Sequence, residues 1–171
     1  MKKPLYIAVM GLMFAVMAIL STLESLFTPV LPPGVRLGLP NIIIMLAMLI
    51  LGAPSGLLLV FMKAAFVLLT RGVTAGIMSA AGGILAFFAI LLLMRRSESS
   101  AVLTSVCGAA AHSFGQLAAS VLLTGSLAVV AYAPFMLIIS VISGVFTGMA
   151  VRIIFPVLKS RADALRKSEP R

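Results

Sequence analysis

Glu24, Asn41, Lys63, Arg71, His112 and Gln116 stand in or beside long apolar runs, and Arg36 stands in a Gly/Pro-rich segment between two such runs. An ionisable group deep in a bilayer costs about 2.5–3.5 kcal/mol on insertion scales, so a retained one usually serves a cavity or a partner. Glu24 is a single acid, and it cannot neutralise Arg36, Lys63 and Arg71 together. Surplus positive charge facing a cavity suits a carboxylate or phosphate. Two structural alternatives stand beside this reading. Lys63 can pair with Glu24, or snorkel along its own stem. Arg71 can simply mark a membrane interface.

The stretch "CGAAAHSFGQLAAS" (107–120) places Gly108, His112, Gln116 and Ala119 on one helical face, with Ser105 one turn earlier. That face is small and polar rather than oily. It suits the lining of a pocket or a hydrogen bond to a neighbouring helix.

These side chains need elements to position them. Of the 171 residues, 62% are hydrophobic and 10% charged, where a soluble domain has about 25% charged residues. So few charges cannot cover a soluble surface, and the apolar runs call for lipid. Six spans are expected, over 5–27, 41–51, 54–70, 76–94, 101–124 and 128–158. The second is short. "GAPSG" (52–56) separates it from the third by a tight reversal. The N-terminal apolar run is too long for a signal-peptide core of about 7–15 residues and reads as a retained first span.

The chain is expected to be a single transmembrane domain over 1–158 with a basic tail over 159–171. Six spans put both ends on one side, with nine cations there: Lys2, Lys3, Arg95, Arg96, Lys159, Arg161, Arg166, Lys167 and Arg171. Arg36 and Arg71 fall on the other side. The positive-inside rule then makes both termini cytoplasmic. This placement also accounts for the net charge of +9 without nucleic acid.

The outer segment "PPGVRLGLPN" (32–41) cannot be helix in lipid, because its prolines lack donors and its glycines permit positive φ. It must be wet or buried in protein. It is a plain connection or, given the short second span, a re-entrant or capping loop with Pro33, Gly34 and Gly38 in the lid. Small residues form a further pattern. Gly11 and Ala15 share a face of the first span, and Ser79 and Gly83 share one of the fourth. Such faces allow close helix packing within the chain, or docking by another membrane protein.

Several chemistries are not expected. Asp163 is the only aspartate, so no aspartate pair can hold Mg²⁺ for diphosphate chemistry. There is no G-x-x-x-x-G-K-[ST] loop for ATP. One histidine and no C-x-x-C-H give no haem site, and the lone Cys107 reads as a small buried hydrophobe. No catalytic residue, cofactor or metal is therefore assigned.

Three motifs in order, "PGVRLGLPN" (33–41), "SAAGG" (79–83) and "GAAAHSFGQ" (108–116), resemble the bacterial heptaprenyl diphosphate synthase component I family, also called the Gx transporter family. The resemblance covers about 24–150. Members more often carry arginine where this chain has Lys63. The family in turn resembles the substrate-binding S components of energy-coupling factor transporters. That resemblance implies six helices and a loop closing over an outward-facing solute. It also implies a small-residue face on the first span, here Gly11 and Ala15, docking on a coupling subunit driven by ATPases. The expected role is uptake of a small anionic solute or vitamin-like precursor, bound by Glu24, Arg36, Asn41, Lys63, Arg71, His112 and Gln116. The alternative is a non-transporting subunit in prenyl or quinone biosynthesis, or in flavin- and quinone-linked extracellular electron transfer.

Overall fold

The computed structural model describes residues 3–27, 38–96 and 100–168. Among these are six α-helices: α1 (Lys3–Phe27), α2 (Leu39–Ile50), α3 (Ala53–Arg71), α4 (Val73–Met94), α5 (Ala101–Thr124) and α6 (Ala133–Ser168). A short 3-10 segment, Leu127–Tyr132, precedes α6. Five of these stretches are long and apolar enough to cross a membrane, and α2 is the shorter sixth. The chain is an all-α membrane protein.

Length explains why α2 is different. At 1.5 Å per residue, the 19 residues of α3 reach about 28 Å, close to the ~30 Å hydrocarbon core. The 12 residues of α2 reach only about 18 Å. A helix that short leaves polar ends at membrane depth, so it must be surrounded by protein. Ile44, Met45, Leu46, Ala47 and Met48 are all buried. α2 packs on α1, α3 and α6. Ile44, Ala47 and Met48 join Met10, Met17, Leu59, Val60, Phe87 and Ile90 in the main apolar cluster.

Single glycines turn the chain at both ends of α3. Gly52 has φ 97 and ψ 167, and Gly72 has φ 89 and ψ 173. Side chains with a Cβ rarely adopt this region, so the reversals depend on glycine. The "GAPSG" reversal is the one expected from sequence. The fourth helix, however, starts at Val73 rather than at residue 76, because Gly72 alone makes the turn. The sixth expected span also divides, into the 3-10 segment and α6. Pro134 lacks an N–H and stands in the first turn of α6, where no intrahelical donor is needed, while Pro156 lies inside the same helix.

α1 and α3 run parallel and are pinned along their length. Tyr6 Oη lies 3.0 Å from Ser55 Oγ at one end. Phe14 meets Phe66 edge-on in the middle, with ring centroids 6.3 Å apart. Arg71 donates to the Ser21 carbonyl, and to Ser21 Oγ at 3.1 Å, at the other end. The inward face of α1 therefore carries Tyr6, Met10, Phe14, Met17 and Ser21. Gly11 and Ala15 lie on the opposite, exposed face, and a Cβ at Gly11 would meet nothing within 4 Å. Internal packing among the described residues does not explain that pair.

The small residues of α4 behave differently. Gly82 and Gly83 are buried, and a Cβ on Gly83 would reach Val60 Cγ1 of α3 at 2.8 Å. α5 and α6 are joined by hydroxyls. Ser105 Oγ and Thr147 Oγ1 are 2.6 Å apart, and Ser113 Oγ and Ser140 Oγ are 2.5 Å apart. Bonds of this kind hold apolar helices together where water cannot compete. Cys107 is only partly buried, contrary to its reading as a buried hydrophobe. Its neighbour Gly108, rather than the thiol, takes the close contact with α4, against Ile90.

Candidate functional site

The polar residues gather at the end of the bundle where α1 finishes and α2 begins. Glu24 is in the last turns of α1 and only 4% exposed. Its Oε1 accepts the Gly38 N–H at 2.6 Å, which ties α1 to the start of α2. Gly38 is the N-cap of α2 with φ 70, so its N–H lies outside the helical ladder and can serve the carboxylate. Asn41 follows in the first turn of α2. Its Oδ1 accepts from Lys63 Nζ at 2.8 Å. Lys63, in the middle of α3, is also 4% exposed. Ser143 of α6 lies beside them, since a Cβ at Gly38 would come within 3.4 Å of its Oγ. Four helices thus contribute to one polar junction.

This junction is unusual for its surroundings. The turn below it is wholly apolar, with Ile44, Leu59 and Val60 buried. A carboxylate and an ammonium held in such a place are stable only with their hydrogen-bonding capacity met. Asn41 is well suited to meet it, because its amide oxygen accepts from the ammonium without adding charge.

The second group lies between α4 and α5. His112 is 5% exposed and Gln116 1% exposed. They sit where the two backbones come closest. A Cβ on Gly82 would meet the His112 carbonyl oxygen at 2.8 Å and Gln116 Cγ at 2.9 Å. A Cβ on Gly115 would meet the Ala81 carbonyl oxygen at 2.6 Å. Gln116 Nε2 and Ser79 Oγ are buried without a hydrogen-bond partner among the described residues. Gln116 also lines a cavity of about 310 Å³ that is covered by the 3-10 segment.

Register puts the two groups at a common depth. Val60 of α3 opposes Gly83, and the adjacent Gly82 opposes His112 and Gln116. Lys63 lies about one turn beyond Val60, and Gln116 one turn beyond His112, both toward the α1–α2 end. The sequence-derived residues therefore form two neighbouring sets. Glu24, Asn41 and Lys63 share the first, and His112 and Gln116 the second. Arg71 joins neither through its bonds to Ser21 and ties α3 to α1 instead. Arg36, Pro33 and Gly34 lie outside the described residues, and Gly38 belongs to the first set.

Sequence reasoning passed over three features. In sequence, Ser79 marks only a small-residue face, and the 3-10 segment with Tyr132 looks like the start of the last span. Arg152, inside an apolar run, lines a cavity with Arg96 at the opposite end of the bundle. A basic residue four positions before Pro156 in an otherwise apolar stretch was the available signal for it.

The family model for heptaprenyl diphosphate synthase component I matches residues 13–154. The chain belongs to this family. The match runs from near the middle of α1 to beyond the middle of α6, so it contains both polar sets and the glycine contact between α4 and α5. No curated protein and no solved structure matches the chain. The heptaprenyl diphosphate synthase component I family is therefore the relationship established for this chain.

Proposed function

We propose that the chain is the solute-binding component of an uptake system in the bacterial inner membrane. Both termini are cytoplasmic, and the polar junction opens outward. The solute is a small anion or vitamin-like precursor. The observation that carries this reading is the buried junction of Glu24, Gly38, Asn41 and Lys63. It brings an ammonium and a ready-made set of donors to the start of α2, next to the segment that holds Arg36. Asn41 and Lys63 contact the solute, Arg36 approaches from the lid with Pro33, Gly34 and Gly38, and Glu24 anchors the lid through Gly38. His112 and Gln116 line the side toward α5, and Arg71 braces α1.

Energy comes from a membrane coupling subunit with its ATPases, docked on Gly11 and Ala15. Their exposure on a face of α1 that packs on nothing among the described residues supports this. Replacing both by leucine leaves melting in detergent unchanged, because the added atoms point into open space. The same double variant, pulled down from native membranes, loses an ATPase that the unaltered chain retains. Absence of any ATPase or coupling protein in both pull-downs removes the basis for energy coupling.

One observation favours a second reading. An apolar groove of about 430 Å³ lies between α1, α2 and α6, lined by Leu12, Val16, Leu46, Ile154 and Leu158, with Arg161 at its edge. Leu12 and Val16 are exposed, so the groove opens toward lipid. It fits a non-transporting subunit of prenyl or quinone metabolism, or of quinone-linked electron transfer, that holds an isoprenoid chain. The family's name points the same way. Lipid analysis of the purified protein separates the two readings: an isoprenoid retained through detergent exchange supports the second.

A further inference from the structure

At the end of the bundle away from Lys63, a cavity of about 380 Å³ lies between α2, α6 and the junction of α4 with α5. Its floor is apolar. Met45 and Val151 are buried there, and Phe155 packs against them. Arg96, just past the end of α4, and Arg152 of α6 line the same cavity. Thr104 of α5, 2% exposed, adds a hydroxyl to the lining. Among the described residues no acid lines it. The volume falls in the lower part of the roughly 300–1,000 Å³ typical of small-molecule sites.

Two observations set these arginines apart from cations that merely mark a membrane surface. The first is depth. Arg152 comes seven residues before Lys159, the first cation of the basic tail, so it stands about 10 Å farther along α6 toward the membrane interior. A guanidinium there is costly unless an anion or water answers it. The second is charge balance. Glu98 is the one acid in the connection between α4 and α5, and Arg95 and Arg96 precede it in the sequence. It can neutralise one arginine, so at least two of Arg95, Arg96 and Arg152 keep their charge. Other positive groups stand near. Lys159 lies over the Phe155 ring, 5.8 Å from its centroid. Ala101, the first residue of α5, also lines the cavity, which brings the positive end of that helix to it.

We propose that this cavity binds the phosphate of an anionic phospholipid headgroup, held between Arg96 and Arg152. Guanidinium groups match phosphate oxygens in pairs, and basic pockets between membrane helices suit anionic headgroups. The apolar floor decides between a lipid and a free phosphate. Met45, Leu49 and Phe155 offer a soluble anion nothing, but they suit the glycerol and first methylenes that follow a headgroup. Ile153 and Val157 are exposed on α6 beside the cavity and continue an apolar surface for the acyl chains. The site is separate from the junction at Lys63 and does not depend on transport there.

The full chain in detergent, titrated with phosphatidylglycerol and followed by native mass spectrometry, tests the site. Phosphatidylglycerol binds saturably and raises the melting temperature. Phosphatidylcholine, whose phosphate is offset by its own ammonium, binds about tenfold more weakly or worse. Arg96→Gln and Arg152→Gln each weaken phosphatidylglycerol about tenfold, the effect of one charge-assisted contact. Both arginines are exposed, so melting without added lipid stays the same in either variant. Arg95→Gln removes an equal charge from a residue outside the lining and leaves lipid binding as it was. The proposal is overturned if Arg95→Gln weakens binding as much as Arg96→Gln and Arg152→Gln do, since net charge alone then explains it. Equal binding of the two lipids, no saturable binding, or a response that survives both substitutions overturns it as well. Displacement of bound phosphatidylglycerol by millimolar inorganic phosphate would assign the cavity to a soluble phosphate instead.

Discussion

Gly115→Ala destabilises the bundle by about 2–3 kcal/mol, through overpacking against backbone that cannot yield. The added Cβ would lie 2.6 Å from the Ala81 carbonyl oxygen and 2.8 Å from Gly82 Cα. Neither belongs to a side chain, so relief requires α4 and α5 to move apart. That movement disturbs His112 and Gln116, which pack in the same crossing. Gly108→Ala is the informative contrast. Its Cβ would meet only Ile90 Cγ1 and Cδ1, at 2.8 and 2.9 Å, and that side chain can change rotamer. Its cost is about 1 kcal/mol or less, the bottom of the overpacking range. Melting of the two variants in detergent checks the order. Equal losses would show that the α4–α5 contact is not set by backbone approach.

The second large effect concerns Lys63. If Lys63 holds the proposed anionic solute, Lys63→Met lowers affinity for that anion about 100-fold, the upper range for one charge-assisted hydrogen bond. Methionine keeps the length and the apolar stem, so the core around Val60 is little changed. It also leaves Asn41 Oδ1 without the bond it now accepts at 2.8 Å. Lys63→Arg keeps the charge and retains most of the binding. Native mass spectrometry of protein purified from its own membranes gives the readout. A small organic anion accompanies the unaltered chain and Lys63→Arg and is lost from Lys63→Met. The same anion at the same occupancy in Lys63→Met would place the solute elsewhere.

Much of the architecture could be read in the residues because turns in lipid are hard to disguise. "GAPSG" and the long apolar runs gave the helices and their order. The second span is short in the sequence, and α2 is correspondingly short and enclosed by protein; the re-entrant loop inferred from that shortness lies outside the described residues. Depth was also legible: a polar residue's place along a span is its place across the bilayer.

Direction around each helix was not legible. In water, the apolar face of a helix marks its buried side. In lipid both faces are apolar, and Leu12 outside and Met17 inside α1 look alike in sequence. Hence the Gly11/Ala15 face could not be distinguished from internal packing, whereas Gly82 and Gly83, of similar appearance, are buried. For the same reason seven polar residues at similar depth looked like one site. Glu24 and Asn41 with Lys63 form one set, while His112 and Gln116 form another against α4. The cover over Gln116 was hidden as well, because "LAVVAY" (127–132) is as apolar as the helix it precedes.

The central claim is that the polar end of this bundle faces outward, with the cover and Arg36 outside and both termini inside. Single cysteines at Arg36, Tyr132, Ser97 and Ser168, introduced after Cys107→Ser, test it directly with a membrane-impermeant maleimide on intact cells. The account predicts labelling at Arg36 and Tyr132 from outside, and at Ser97 and Ser168 only after the membrane is opened. Labelling at Ser168 in intact cells, or protection of both Arg36 and Tyr132, would contradict it.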